Sequence, residues 1–384
     1  MKFPIEKFST QETPFYYYDT ELLRKTLQTI NEEAGKYTGY HVHYAVKANA
    51  NPRILSIIRE HGLGADCVSG GEIQAALKAG FPADKIVFAG VGKADWEIRL
   101  GIEAGICCFN VESVPELDNI NAIACELGKN VSVALRINPN VDAHTHHYIT
   151  TGLTENKFGI SLEQMDMVLD HLSTLPHIKL MGLHFHIGSQ ILDMDSYKML
   201  CNRINELQES LYKRMIIVDV INVGGGLGVD YMQPDKQPIP DFAAYFAVFH
   251  KHLKLRPKQQ LFFELGRAVV CQCGSLITKV LYVKEGINKK FVIVDAGMTD
   301  LIRPALYQAY HRIENVTSQE PEQEYDVVGP ICESSDCFGK VVALNETHRG
   351  DIIAIRSAGA YGEIMASQYN CRRLPGTCFS DELF

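Results

Sequence analysis

The chain is 384 residues long, 46% hydrophobic and 22% charged, with a formal net charge of -9 and a pI near 5.9. That length supports a large core in two domains, or in one large domain with an appendage, and the acidic balance with no basic block argues against nucleic-acid binding and for a small-molecule substrate. The first eight residues lack an apolar core of signal-peptide length and no later segment is long enough to span a bilayer, so no membrane is expected and the expected location is the cytoplasm.

The eleven cysteines fall singly or as Cys107-Cys108 and Cys271-Gln272-Cys273. They lack the paired spacing of a zinc site, so no metal is expected and reduced thiols are the default.

Along the chain, the alternating aromatics of Thr13-Pro14-Phe15-Tyr16-Tyr17-Tyr18-Asp19 predict a strand without an obvious partner nearby. Leu22, Leu23, Leu27 and Ile30 then recur at helical spacing. The helix delivers the chain to His43-Tyr44-Ala45-Val46-Lys47-Ala48-Asn49-Ala50, which reads as a short buried strand ending on Lys47 and stopped by Asn51-Pro52. Further short apolar segments follow at 64–68, 86–89, 107–111, 131–137, 181–187, 218–223 and 261–264. With the Lys47 strand they make eight, the number that closes a parallel (β/α)8 barrel of the TIM type with helices outside. Helical patterns lie between them, such as residues 72–79 with a glycine stop at Gly80. Beyond Glu264 the strand-like pieces 276–283, 291–294 and 352–355 have few helices between them. They predict a second, mostly antiparallel β domain, a barrel or sandwich, packed closely because no flexible linker intervenes.

Chemistry in a parallel barrel sits where the strands end, and Lys47, Asp66, His186, Gly224 to Gly226 and Glu264 all fall there. A strand-end lysine by itself usually only reaches solvent. In Leu183-His184-Phe185-His186-Ile187, period two puts both histidines on one face, where they serve either as core histidines or as groups lying against an aromatic ring. Ser189 follows, and the triple glycine after the seventh strand lets backbone N–H groups converge on an anion. Gly266 and Arg267 add a backbone donor and a guanidinium. Glu264 closes an apolar strand and needs a cation, either Arg267 or Arg136 or a protonated pyridine nitrogen. Arg303 and Tyr307, four apart, suffice for one carboxylate. Cys332 sits beside Glu333 and Asp336, as an acid or as a small buried hydrophobe, and Tyr361 rides a small-residue turn. A lysine able to form a Schiff base, a phosphate-type glycine run and a strand-end acid together suit pyridoxal 5'-phosphate.

These motifs together resemble the fold-type III pyridoxal phosphate decarboxylases, and among them the diaminopimelate decarboxylases, over nearly the whole chain. The broad signature is Tyr44-Ala45-Val46-Lys47-Ala48-Asn49 with the histidine strand, the triple glycine and Glu264-Leu265-Gly266-Arg267. More specific are Val141-Asp142-Ala143-His144-Thr145-His146 with Lys157-Phe158-Gly159, then Cys332-Glu333-Ser334-Ser335-Asp336, and Met365-Ala366-Ser367-Gln368-Tyr369-Asn370.

The resemblance implies a barrel over residues 21–266. It gives the β domain residues 1–20 and 267–384, so that the aromatic strand finds its partner there. It implies Lys47 as the Schiff-base lysine, His186 as the ring-stacking residue and Glu264 as partner of the pyridine nitrogen. Asp66, Ser189, Gly225, Gly226, Gly266, Arg267 and Tyr361 become cofactor neighbours. Arg267, Arg303, Tyr307, Glu333 and Tyr361 meet the substrate, and Cys332 returns a proton from the second subunit of a homodimer with shared active sites.

The implied reaction is decarboxylation of meso-2,6-diaminopimelate to L-lysine and carbon dioxide, the last step of lysine biosynthesis by that route. The alternatives within the fold are a carboxynorspermidine decarboxylase or another basic amino acid decarboxylase. An alanine racemase would place arginine where Glu264 stands, and a dead regulator would have lost Lys47 or Cys332. Leu265, Ser335 and Glu363 depart from the family pattern, and residues 140–157 are long enough for a lid.

Overall fold

The computed structural model describes residues 3–8, 10–141 and 157–383. Most of the Val141–His146 motif and of the suggested lid lies outside these residues. Contacts divide the chain into two compact units, one of Leu27–Gly228 with Asp241–Gly266, the other of Met1–Thr26 with Val229–Pro240 and Arg267–Phe384.

Strand β1 (Phe15–Tyr18) belongs to the second unit, and the next eight build the first. These are β2 (Tyr40–Ala45), β3 (Gly64–Cys67), β4 (Ile86–Phe88), β5 (Cys108–Val111), β6 (Val131–Arg136), β7 (Ile178–His184), β8 (Val220–Asn222) and β9 (Gln260–Leu265). Each pairs in parallel with the next, and β2 pairs with β9 to close the barrel. Strand alternation explains how β9 serves two layers at once. Phe262 joins Val87, Cys108, Ala134 and Val220 in one apolar cluster. Phe263 points the other way and meets Phe246 and Phe249 of the helix Phe242–His252, with ring centroids 4.9 and 5.2 Å apart. Burying each such ring stabilises the fold by roughly 1.5–3 kcal/mol, and the next residue to face Phe262's way is Glu264.

The helices begin where sequence chemistry directs. Asn51 caps Pro52–Glu60 by accepting from Arg53 N, Ser69 caps Gly70–Lys78 by accepting from Glu72 N, and Asp241 caps Phe242–His252 by accepting from Ala244 N. The same chemistry shortens the lysine strand. β2 ends at Ala45, and Lys47 lies in the single 3-10 turn Val46–Ala48. There the Tyr44 hydroxyl donates to Asn49 O at 2.9 Å, and Asn49 Oδ1 accepts from Asn51 N at 2.9 Å.

The second unit contains β10 (Gly274–Glu285), β11 (Lys290–Val294), β12 (Ile313–Asn315), β13 (Glu322–Val328), β14 (Cys337–Asn345), β15 (Ile352–Ile355) and β16 (Gly376–Phe379). Six of them form a mostly antiparallel sheet in the order β12-β15-β10-β11-β13-β14, and β16 joins it through β1. The aromatic strand β1 finds its partners here, antiparallel to β10 with Phe15 opposite Ile277, and parallel to β16. Its alternation is used on both faces. Phe15 and Tyr17 pack with Phe8, Ile277, Ile352, Ala354 and Cys378, whereas the Tyr16 hydroxyl donates to Asp300 O and the Tyr18 hydroxyl to Glu363 Oε2, both at 2.6 Å. Tyr18 thereby accounts for the polar residue at 363.

Asp300 is 1% exposed and accepts from Gly297 N at 2.8 Å. Burial pushes its carboxyl up to about 6. The folded chain therefore keeps a proton that the unfolded chain releases near pH 4, and stability is expected to fall as pH rises from about 4 to 6, by no more than about 3 kcal/mol. Asp300→Asn should flatten that part of the curve. Chemical denaturation of both proteins at the two ends of this range checks it, and equal slopes would count against the assignment.

Candidate active site

The carboxyl ends of the barrel strands converge on Glu264. Its Oε1 accepts from Asn110 Nδ2 at 2.9 Å and from Asn222 Nδ2 at 2.7 Å, and its Oε2 meets His184 Nε2 at 2.9 Å. Burial by itself would raise this carboxyl. His184 and the Asn222 hydrogen bond overcome that and hold it below the usual carboxylate range. Arg136 is not its counter-ion, because Arg136 Nη1 pairs with Glu112 Oε1 at 2.8 Å. Glu264 is thus a fixed, buried anion oriented by three side chains from three other strands.

Asp66 complements it. Its carboxyl is raised well above the ordinary range, by burial first and then by the Glu264 charge, against the pull of Lys47. Its Oδ1 is buried with no hydrogen-bond partner among the described residues. A protonated Asp66 beside an ionised Glu264 is the stable division of one proton between two buried acids.

The two histidines of the 183–187 run separate in role. His184 closes β7 and binds Glu264, while His186 lies two residues past the strand end, half-buried. Gly225 N–H donates to His186 Nδ1 at 3.4 Å, so the lone pair is on Nδ1 and the neutral tautomer carries its proton on Nε2. Burial, then the charges of Lys47 and Arg136, lower this imidazole well below its usual range.

Glycine is required in the turn after β8. A Cβ on Gly225 would stand 1.9 Å from Glu264 O, and one on Gly224, whose φ is +65°, would stand 2.4 Å from Phe185 O. Gly226, at φ +103°, would bring a Cβ to 2.7 Å from Gly188 O. The run lets the turn after β8 approach the loop after β7 and the end of β9 itself. Ser189 is in the loop after β7, and Gly266 directly follows β9. A buried anion held by His184, Asn110 and Asn222, a neutral imidazole, an acid oxygen unpartnered among the described residues, a glycine cradle and Lys47 all belong to this one unit. They fit a pyridine-ring cofactor bearing an aldehyde and a phosphate.

The β unit gathers the other candidates. Arg267 opens the helix Arg267–Val270, and Arg303 opens Arg303–Tyr307. Arg303 and Tyr307 are four apart in that short helix, as one carboxylate site would need. The Tyr361 ring lies 4.9 Å from the Arg267 guanidinium carbon. Cys332 is exposed, with its N–H donating to Asn370 Oδ1 at 3.3 Å, so it is not the small buried hydrophobe its type suggests. Glu333 accepts from the Tyr369 hydroxyl at 2.7 Å, and buried Asp336 locks the loop by accepting from Ile331 N and Met298 N.

Asn110, Asn222 and the Glu264 contact of His184 were not singled out in the sequence, nor were Tyr231 and His311. One signal was available. Asn110 and Asn222 are polar residues at or next to the last position of otherwise apolar strands, where burial demands a partner.

A family model described as the pyridoxal binding domain of pyridoxal-dependent decarboxylases matches residues 21–271. The diaminopimelate decarboxylase of Bacteroides thetaiotaomicron is 68% identical over 381 residues, covering 99% of either chain. That of Aquifex aeolicus is 41% identical over 96% of this chain and 86% of its own. Among solved structures, diaminopimelate decarboxylase from Helicobacter pylori complexed with L-lysine is similar with a TM-score of 0.92 at 41% identity, covering 98% of this chain and 94% of that one. Lysine/ornithine decarboxylase from Vibrio vulnificus, at 21% identity and a TM-score of 0.85, shares the fold.

Proposed function

We propose, from the premise that the chain belongs to the pyridoxal-dependent decarboxylases and among them to the diaminopimelate decarboxylase family, that it converts meso-2,6-diaminopimelate to L-lysine and carbon dioxide. The observation that carries the reading is the buried Glu264 anion, fixed by His184, Asn110 and Asn222. Pyridoxal 5'-phosphate, when bound, supplies an electron sink for the bond between Cα and its carboxylate.

The chain's own residues divide the remaining work. Lys47 would hold the cofactor's aldehyde through its Nζ. Glu264 keeps a proton on the ring nitrogen, which a neutral or cationic residue there could not do. His186, kept neutral by its burial and its cationic neighbours, would be the ring-stacking residue without repelling that proton. Asp66, Ser189, Gly225, Gly226, Gly266, Arg267 and Tyr361 hold the rest of the cofactor. Arg303 and Tyr307, with Arg267, bind substrate carboxylate, and Glu333 meets the distal amine. Cys332, supplied by a second copy of the chain in a homodimer, returns a proton to Cα. Its exposure on the β unit supports this role. Among the described residues no helix is long and apolar enough to cross a membrane, and we place the enzyme in the cytoplasm.

Buried arginine favours a dicarboxylate over ornithine, since Arg303 is only 7% exposed and its hydrogen bonds go to Tyr231 and His311. The L-lysine complex of the Helicobacter pylori relative supports a product of that shape. Carbon dioxide release from meso-2,6-diaminopimelate, carboxynorspermidine, ornithine and arginine tests the reading. Diaminopimelate is expected to lead in kcat/KM by at least about 100-fold, because leaving a buried cation unpaired costs several kcal/mol. Preference for any other compound ends the assignment.

A further inference from the structure

Two arginines of the β unit share one phenol. Tyr231 Oη accepts from Arg267 Nη1 at 2.6 Å and from Arg303 Nη1 at 2.8 Å, and Cys271 Sγ lies 3.4 Å from the same oxygen. The Arg303 guanidinium carbon is 5.2 Å from the centre of the Tyr231 ring. A second neutral group backs Arg303, whose Nη1 also donates to His311 Nε2 at 3.3 Å. His311 Nδ1 donates in turn to Arg356 O at 2.9 Å, and a carbonyl can only accept, so Nε2 presents a lone pair. Burial, then the charge of Arg303, push this imidazole down to about 3, which keeps it in that form.

The choice of a phenol matters. A carboxylate at 231 would cancel one of the two positive charges, whereas a phenol oxygen offers lone pairs and no charge. Burial pushes Tyr231 up to about 12 even though both guanidiniums oppose it, so it stays neutral. Both arginines are 7% exposed. Among the described residues no carboxylate pairs with Arg303. Among the described residues Arg303 is anchored on neutral acceptors alone, with Arg267 held beside it on the same phenol, and an incoming anion completes the site.

We propose that Tyr231, backed by His311, is a positioning residue that anchors Arg267 and Arg303 as a paired receptor for a substrate carboxylate. It acts through the arginines and sets the preference for a dicarboxylate over a plain diamine. The inference rests on the reading of the substrate given above.

Heptanedioate, which has the carbon chain and both carboxylates of diaminopimelate without its amines, and cadaverine, which has the amines without the carboxylates, separate the two contributions. Calorimetric titration of the holoenzyme is expected to show Tyr231→Phe weakening heptanedioate about tenfold, the cost of freeing one charge-assisted hydrogen bond. Cadaverine should change less than about twofold, and KM for the substrate should rise with heptanedioate Kd while kcat falls less than about threefold. His311→Gln, which loosens Arg303 alone, should give a smaller shift of about threefold, and it decides the matter should the first variant fail to fold. Unchanged heptanedioate binding in the folded variants, equal weakening of both ligands, or loss of bound cofactor would each overturn the proposal. A wild-type enzyme that preferred ornithine, yet lost heptanedioate affinity in Tyr231→Phe, would sink the substrate assignment and leave the receptor standing.

Discussion

Lys47→Ala is expected to reduce carbon dioxide release by at least about 1,000-fold, equivalent to about 4 kcal/mol of barrier, and to leave no peptide labelled by borohydride at position 47. The fold should survive. The turn Val46–Ala48 is held by its buried neighbours Val46 and Ala48 and by the Tyr44 bond to Asn49 O, none of which needs the lysine side chain. The whole effect therefore belongs to the lost ε-amino group. Peptide mapping after reduction of wild type and variant is the direct check, and near-normal turnover by the variant would remove the enzyme assignment as drawn. The same protein tests the shared site. Mixed with Cys332→Ala chains, it should regain up to about one quarter of wild-type activity if each site draws on two subunits of a symmetric dimer. No regain would place Cys332 in the same chain as its lysine.

Glu264→Gln should lower kcat by about 100- to 1,000-fold, or roughly 3–4 kcal/mol of transition-state stabilisation. The amide preserves shape and can still accept from Asn110 and Asn222 on the oxygen that replaces Oε1, which now stands 2.9 and 2.7 Å from them. Its NH2 then faces His184 Nε2. His184 Nδ1 is buried without a partner among the described residues, so the ring can shift its proton there and accept from the amide. What the variant loses is charge. The sign of the pH dependence follows from the same group. Glu264 is held below its unfolded value, so its contribution to stability is present above about pH 4.3 and is lost as pH falls toward the folded value. Acid denaturation should therefore be shallower in Glu264→Gln, and no acidic limb of activity between about pH 5 and 8 should arise from this residue. Steady-state kinetics together with an acid titration check both statements. A kcat within tenfold of wild type would mean that the buried anion does not govern the chemistry.

Much of this site is legible in the sequence because its signals are local. Eight short apolar segments with helical patterns between them announce the barrel, and an acid closing an apolar strand announces Glu264. Lys47 is marked by its strand and by Asn51-Pro52 beyond it, although the turn that holds it forms two residues earlier than the apolar run suggests. The glycine run is legible as a turn, but its necessity is not. Only the fold brings Glu264 O to where a Cβ on Gly225 would be.

The partners were decided by tertiary structure. Period two puts His184 and His186 on one face without saying which of them reaches the acid, and the answer depends on where β7 stops. Asn110 lies 154 residues before Glu264, and Asn222 42 residues before it. They meet it because barrel closure brings β5, β8 and β9 to a common end. Likewise β1 finds β10 and β16 across most of the chain, and Tyr231 joins the β unit despite lying between barrel segments. Local pattern determines which residues are buried and which way a strand presents them. Which buried polar groups satisfy one another is set by closure and register, which belong to the folded chain as a whole.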